Sequence, residues 1–175
     1  MLGFYIINIG LVVAVFLLLL LLSAIWPPDS PWSPWWKTDI KTSSAIIKLA
    51  KITKKDVVYE LGSGDGEFCL FVARKVGAKC VGIEIDPMRH YQSRLRAKFQ
   101  KTEDKIQFIR EDFKKIDMSS ATVVYFYLVP KAIERILPKL KNELLPGTRI
   151  ISYKYKVPLE QISEDKNHKL YLYKM

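Results

Sequence analysis

The chain has 175 residues, of which 49% are hydrophobic, and a formal net charge of +10 at pH 7. This length provides room for one modest domain and an accessory segment. The basic charge favours anionic partners such as nucleic acid or acidic lipid headgroups, although a solvated basic surface would give the same total. Two cysteines without a CxxC pair and two isolated histidines argue against a disulfide framework or a zinc site. We predict that Cys69 and Cys80 are small core thiols of a protein in a reducing compartment.

The amino-terminal segment is apolar, and no Asp, Glu, Lys or Arg occurs between Met1 and Pro28. A helix needs roughly 20 apolar residues to cross a bilayer core of about 30 Å, and Leu2 to Trp26 has that length. A signal peptide would begin with basic residues and end in small ones. A buried core helix rarely runs so far without a polar face. We therefore predict a transmembrane anchor over residues 1–26, embedded in the lipid bilayer.

The residues that follow this segment are proline-rich and then basic. Residues 27–37 form a linker rich in Pro and Trp, which we predict to lie at the membrane interface, although a semi-rigid spacer without membrane contact has the same composition. Six lysines follow closely, namely Lys37, Lys41, Lys48, Lys51, Lys54 and Lys55. The positive-inside rule then predicts a single-pass membrane protein with its amino terminus outside and its catalytic domain, residues 38–175, in the cytoplasm.

Helices and strands alternate along residues 38–175. The predicted helices are Ser43–Ala50, Glu67–Val76, Pro87–Lys101 and Lys131–Leu145. The predicted strands are Val57–Leu61, Cys80–Glu84, Ile106–Ile109, Ala121–Leu128 and Thr148–Tyr155, with Leu170–Tyr173 as a possible sixth. Short connections between such elements indicate βαβ units, a mostly parallel sheet and a doubly wound, Rossmann-like α/β fold. Ligands of such folds bind at the carboxyl ends of the strands, where the strand order reverses.

A glycine-rich loop, Glu60-Leu-Gly-Ser-Gly-Asp-Gly66, follows the first strand and opens a helix. Its glycines permit positive φ and close approach of a ligand to the backbone. Glu84, 18 residues beyond Gly66, ends the next strand, where a carboxylate can accept from the ribose hydroxyls of an adenosine. The Gly-x-Gly-x-Gly spacing differs from the dinucleotide form, and Glu60, Asp65 and Glu67 would repel a pyrophosphate. The loop therefore favours S-adenosylmethionine, whose amino-acid part is zwitterionic. A glycine-rich turn without a ligand is the alternative.

Two further segments follow predicted strands. Asp112 can accept from the adenine amine while Phe113 packs on the ring, although Asp112 could equally cap a helix or lie on the surface. The fourth strand ends in Tyr125-Phe-Tyr-Leu-Val-Pro130. Aromatic faces there favour a cation, either a sulfonium or a lysine ammonium, and simple core packing is the alternative. The absence of an Asn/Asp-Pro-Pro-Tyr run leaves methylation of base amino groups without support.

Together these motifs resemble the class I methyltransferases, on Tyr59–Gly66, Val81–Pro87, Asp112-Phe113 and Val129-Pro130. More narrowly, the chain is similar to the family of the mitochondrial ATP synthase c-subunit lysine methyltransferase and its membrane-anchored prokaryotic relatives. That resemblance implies S-adenosylmethionine as cofactor and, together with the anchor, a protein lysine in or near the membrane as acceptor. We expect no metal, and nucleic acid is not expected as a partner. We expect the cofactor to be held by Glu60, Gly62, Ser63, Gly64, Gly66, Glu84, Asp112 and Phe113. An acceptor slot is expected at Tyr127, Pro130 and Tyr155.

Two other functions are compatible with the same residues. The first is a methyltransferase for a small molecule, a lipid or RNA, which the basic charge permits. The second is a membrane scaffold that has kept the cofactor fold without catalysis.

Overall fold

The computed structural model describes residues 2–25 and 36–175. Its helices are α1 Leu2–Ile25, α2 Ile40–Ala50, α3 Glu67–Lys75, α4 Pro87–Phe99 and α5 Pro130–Glu143, with a short 3₁₀ helix at Phe113–Lys115. Its strands are β1 Val57–Leu61, β2 Lys79–Glu84, β3 Ile106–Arg110, β4 Val123–Phe126, β5 Arg149–Tyr153, β6 Gln161–Asp165 and β7 Leu170–Lys174. The predicted linker lies outside the described residues except for Trp36 and Lys37.

The strands form one seven-stranded sheet in the order β3-β2-β1-β4-β5-β7-β6. Strands β1 to β5 pair in parallel, whereas β7 runs antiparallel to both β5 and β6. From β1 the chain moves outward to β2 and β3, then returns to the other side of β1 with β4. The predicted Rossmann-like α/β fold is therefore confirmed, and the strand order reverses between β1 and β4.

The edge strand β6 was not predicted from the sequence. Gln161–Asp165 contains a single large apolar residue, Ile162, whose side chain is exposed, so no alternation marks the segment as a strand. It forms because β7 pairs with it at the edge of the sheet. Charged residues on such an edge oppose pairing with another chain.

Helices cover both faces of the sheet. In β4, Val123 and Tyr125 pack with α2 and α3, while Val124 and Phe126 pack with α5 on the opposite face. All four side chains are buried, as is usual for a central parallel strand with both faces covered. The carboxyl end of β4 lies beside that of β1, with Phe126 paired to Leu61.

The predicted transmembrane anchor is wrong. No helix in the described part of the chain is long and apolar enough to cross a membrane. The predicted topology, with the amino terminus outside and the domain cytoplasmic, is corrected with it, and the predicted bilayer contact of residues 1–26 is left without support.

The two cysteines are not separate thiols. Cys69 in α3 and Cys80 in β2 are fully buried, as predicted for core residues. However, they form a disulfide, with their Cα atoms 5.6 Å apart. The prediction of free thiols in a reducing compartment is therefore corrected, because α3 packs on β2 and brings together two residues that are 11 positions apart.

Asp56 ties the start of β1 to the neighbouring strands. Its carboxylate accepts from the backbone N–H of Thr53 at 2.7 Å and from the hydroxyl of Thr122 at 2.8 Å, and it pairs with Arg149. Burial disfavours the charged form, but these hydrogen bonds and the Arg149 charge outweigh it and lower the pKa of Asp56. Because its pKa is lowered on folding, Asp56 stabilises the fold at pH values above the ordinary aspartate pKa of about 3.9. This contribution is lost as the pH falls through the folded-state pKa.

We expect Asp56→Asn to lower the free energy of unfolding by about 2 kcal/mol at pH 7, since a buried carboxylate with several donors is lost. The difference from wild type should stay constant down to the ordinary pKa of about 3.9 and then shrink as the pH falls towards the lowered folded-state pKa, where the wild-type carboxyl becomes protonated too. Urea unfolding from pH 7 down into this acid range measures both quantities. The exposed Asp104→Asn is the control, and a difference that stays constant with pH would contradict the assignment.

Candidate cofactor site

A cavity opens at the carboxyl ends of β1, β2 and β4, where the strand order reverses. The chain's glycine loop, the end of β2 and the segment after β3 surround it. Seven of the residues singled out in the sequence line this cavity: Glu60, Gly62, Ser63, Glu84, Asp112, Phe113 and Tyr127. The fold therefore brings together side chains that lie up to 67 positions apart along the chain (60 to 127).

The other four singled-out residues lie around this group. The backbone N–H of Gly64 donates to Glu84, and Gly66 caps the amino terminus of α3. Pro130 is the first residue of α5, and Tyr155 packs with the core on the α5 face of the sheet. Neither Pro130, which is exposed, nor Tyr155 lines the cavity, and their part in an acceptor slot stays a prediction.

Glu84 joins the second strand to the glycine loop. One carboxylate oxygen accepts from the backbone N–H of Gly64 at 2.7 Å, and the other accepts from the N–H of Asp86 at 2.9 Å. Burial raises the pKa of Glu84, and the two N–H donors oppose that rise. Each oxygen has a further lone pair directed to its surroundings. The side chain is therefore held at the cavity wall in one orientation, able to accept two more hydrogen bonds.

Glu60 is the most deeply buried acid of the site. Burial raises its pKa well above the ordinary range, the N–H of Cys69 opposes that rise, and the nearby Asp65 and Glu84 add to it. Its Oε2 atom has no hydrogen-bond partner among the described residues. Since an unpaired buried acceptor is costly, Glu60 fits a ligand that brings a hydrogen-bond donor or a positive charge into the cavity.

Asp112 caps the 3₁₀ helix. Its Oδ1 atom accepts from the backbone N–H of Lys114 at 2.9 Å, and its Oδ2 atom pairs with the Lys114 ammonium at 3.1 Å. The capping alternative from the sequence is thus present, and Asp112 lines the cavity at the same time. Phe113, the next residue, also lines it.

A short segment ahead of α2 closes one side of the cavity, and we name Trp36 to Asp39 the strap. The hydroxyl of Thr38 shares a hydrogen bond of 2.7 Å with that of Tyr125 in β4. Burial raises the pKa of Tyr125, so its hydroxyl stays protonated and keeps this bond. The side chain of Asp39 accepts from the N–H of Thr42 and starts α2. Sequence reasoning assigned residues 36 and 37 to a linker and missed this contact.

Ion pairs connect the strap to the glycine loop. Lys37 lies 3.0 Å from Asp65 and 3.2 Å from Glu67, and Arg96 of α4 lies 2.8 Å and 2.5 Å from the same two acids. Burial disfavours the charged form of Glu67, yet these cations lower its pKa. The charges of Asp65 and Glu67 are therefore balanced by Lys37 and Arg96. The sequence predicted that three acids would repel a pyrophosphate, but among the described residues only Glu60 is left without a neighbouring cation of this kind.

Sequence reasoning also missed Gly82 and Phe108. A Cβ atom on Gly82 of β2 would lie 2.6 Å from the Phe108 ring and 2.9 Å from the Ser63 hydroxyl. The missing side chain thus lets Phe108 of β3 lie across β2 beside the loop. A glycine in a strand interior signals such a close approach, and this was the available clue.

The residues present suit the predicted cofactor. The Ser63 hydroxyl, like Glu60 Oε2, lines the cavity and is unpaired among the described residues. An ammonium with a neighbouring carboxylate, as in the amino-acid part of S-adenosylmethionine, would satisfy a buried acid and a hydroxyl together. A ribose in the cavity would meet the Glu84 carboxylate, and its acceptance of the ribose hydroxyls stays a prediction. No group of three or more His, Cys, Asp or Glu side chains within residues 2–25 and 36–175 could hold a metal ion.

Comparisons with known proteins agree with this geometry. Residues 60–164 match the family model of the ANTKMT methyltransferase domain. The chain is 32% identical to a protein-lysine N-methyltransferase of Saccharolobus islandicus, over 82% of this chain and 94% of the relative. It is also 28% identical to the ATP synthase c-subunit lysine N-methyltransferase of Xenopus laevis. That match covers 73% of this chain and about half, 54%, of the length of the relative.

Among solved structures, the chain is similar to the RNA methyltransferase from Salinibacter ruber in complex with S-adenosyl-L-homocysteine. That similarity has a TM-score of 0.74 and 33% identity, and it covers 79% of this chain and 93% of the other. Fold and site together define an S-adenosylmethionine-dependent methyltransferase. Within that class, the chain belongs to the ANTKMT methyltransferase domain family, and the predicted family resemblance is confirmed.

Proposed function

We propose that this methyltransferase modifies the side-chain amine of lysine in proteins. Support comes from the relatives, since those of Saccharolobus islandicus and Xenopus laevis are both named as lysine N-methyltransferases. When bound, S-adenosylmethionine supplies an electrophilic methyl group to such an amine. The chain's own residues then have to bind the cofactor, exclude water and orient a neutral amine towards it.

The observation that carries the proposal is the aromatic surface at the carboxyl end of β4. Tyr125 and Tyr127 line the cavity there, and the Tyr127 ring packs on Tyr153 with centroids 4.5 Å apart. The electron-rich faces of such rings attract an alkylammonium group. An aliphatic lysine stem also gains by packing on them.

RNA is the second candidate acceptor. The Salinibacter ruber protein is named as an RNA methyltransferase, and the net charge of +10 suits an anionic polymer. The expectation that the acceptor lies in or near a membrane depended on the anchor and on the family resemblance together, and the anchor is wrong. The proposal therefore concerns protein lysine without that restriction.

The test incubates the full chain with S-adenosylmethionine carrying a tritiated methyl group. One sample receives RNA-free protein from cells that lack this enzyme, and the other receives protein-free RNA from the same cells. We expect the label in protein, recovered as ε-N-methyllysine after acid hydrolysis. Label in RNA alone would replace the proposal by the second candidate. Cofactor binding without label in either sample would favour the non-catalytic alternative.

A further inference from the structure

Lys154 directs its ammonium group towards three aromatic rings. Its Nζ atom lies 4.9 Å from the ring centroid of Tyr127, 5.3 Å from that of Tyr153 and 5.7 Å from that of Trp36. All three distances are within the range of about 6 Å in which a cation is attracted to a ring face. An amine of the enzyme's own chain thus lies in an aromatic cluster.

This cluster borders the cofactor cavity. Trp36 and Tyr127 line the cavity, and Tyr153 packs on Tyr127 with the ring planes tilted by 53°. Trp36 belongs to the strap, while Tyr153 ends β5. The rings therefore come from three separate parts of the chain and meet at the acceptor side of the cavity, where Tyr127 was expected from the sequence.

Other contacts do not account for the position of Lys154. None of the ion pairs described in the structure joins Lys154 to a carboxylate. Its backbone adopts the left-handed conformation, with φ of 66°, which side chains with a Cβ rarely adopt. Its backbone N–H donates to the carbonyl of Lys169 at 2.8 Å and holds this turn. The turn brings the lysine back over the rings, and such conformations persist where the surroundings enforce them.

The Tyr127 hydroxyl adds to the attraction of the rings. The nearby Tyr127 hydroxyl raises the pKa of Lys154, and burial opposes that rise. The group is therefore a protonated ammonium at neutral pH, the same chemical group that an acceptor lysine presents before it loses its proton.

We infer that Trp36, Tyr127 and Tyr153 form the binding site for the ammonium of the acceptor lysine, and that Lys154 occupies this site until a substrate lysine displaces it. The inference rests on the proposed function, because it names the subsite through which a lysine acceptor enters. We call the three rings the ammonium site. Lys154 is then an internal competitor that weakens lysine binding without touching the cofactor.

The size of the effect follows from mass action. If Lys154 fills the ammonium site for about 80–90% of the time, only the remaining fraction of molecules can bind an external lysine. The apparent Kd is then about five- to tenfold higher than that of the open site. Removing the ammonium of Lys154 should recover this factor.

The experiment measures binding of Nα-acetyl-lysine methylamide to the full chain by calorimetry, without cofactor. We expect Lys154→Gln to lower the Kd about five- to tenfold. Lys156→Gln is the matched control, because Lys156 lies in the same loop with its ammonium 5.4 Å from the Tyr171 ring, outside the ammonium site. An unchanged or higher Kd for Lys154→Gln, or an equal decrease in both variants, would overturn the inference.

A second variant tests the rings. Trp36 is 63% exposed, so Trp36→Leu should fold normally. We expect it to raise the Kd of the same probe at least about threefold in the Lys154→Gln background, where a ring contact of the probe is lost. An unchanged Kd in that background would show that the probe binds elsewhere and would overturn the inference.

The two proposals fail separately. Methyllysine in the labelling experiment together with an unchanged probe Kd in Lys154→Gln would remove the ammonium site and leave the proposed function. Label in RNA alone, together with the expected decrease in Kd, would remove the proposed function and leave a site that binds alkylammonium groups.

Discussion

Glu84→Ala is expected to weaken the binding of S-adenosylmethionine by at least about 100-fold, which corresponds to a loss of roughly 2.7 kcal/mol of binding free energy. Two effects add up in this variant. The hydrogen bonds from the N–H groups of Gly64 and Asp86 to the carboxylate disappear, so the glycine loop is no longer fixed against β2. The acceptors that we predict for the ribose hydroxyls are lost as well. Charge-assisted hydrogen bonds of this kind contribute about 1.5–3 kcal/mol each.

Titration calorimetry with S-adenosylmethionine measures this loss directly. Glu103→Ala is the control, because Glu103 is an exposed glutamate outside the cavity lining. Thermal unfolding of both variants without cofactor shows whether the loop change also reduces stability. A Glu84→Ala protein that binds the cofactor within about threefold of wild type would contradict the assignment of Glu84 to the site.

Gly66→Ala is expected to lower the free energy of unfolding by about 3 kcal/mol, from two sources. Gly66 has φ of 77°, a conformation that costs a residue with a Cβ roughly 1–2 kcal/mol. The added Cβ would also lie 2.5 Å from the Phe108 ring and 2.9 Å from the Cβ of Ser93. Overpacking of this kind costs about 1–3 kcal/mol.

A matched glycine separates the two sources. Gly77 has nearly the same φ, 76°, but its added Cβ would meet nothing within 4 Å. Gly77→Ala should therefore show only the conformational cost of roughly 1–2 kcal/mol. Urea unfolding of both variants gives the difference, and Phe108→Leu should recover part of the loss in Gly66→Ala. Equal losses at both glycines would show that the contact with Phe108 is not responsible.

Several features were predictable from the sequence because they are encoded locally. The apolar runs and the intervening helical periodicity identified β1, α3, β2 and β4. The glycine loop and Glu84 were recognised because both follow a buried strand at the spacing required by a βαβ unit. These signals depend on neighbours in the chain, so they survive without knowledge of the tertiary fold.

The membrane anchor shows the limit of composition. Its prediction depended on the apolar content and length of residues 1–26, and the structure describes no helix that meets the requirement for crossing a membrane. For Cys69 and Cys80 the sequence predicted free thiols, whereas the structure has a disulfide between them. Neither residue carries a pairing signal, and only the packing of α3 on β2 brings them together.

The glycine loop, from Glu60 to Gly66, and Glu84 were therefore determined by the sequence itself, since strand, turn and helix signals lie within one unit of the chain. The rest of the site was decided by the tertiary structure. The strap's contact with Tyr125, the pairing of Lys37 and Arg96 with the loop acids, and the approach of Lys154 to Trp36 join residues from 28 to 118 positions apart (37 to 65, 36 to 154). Contacts over such separations depend on strand order and helix packing, which no local pattern encodes.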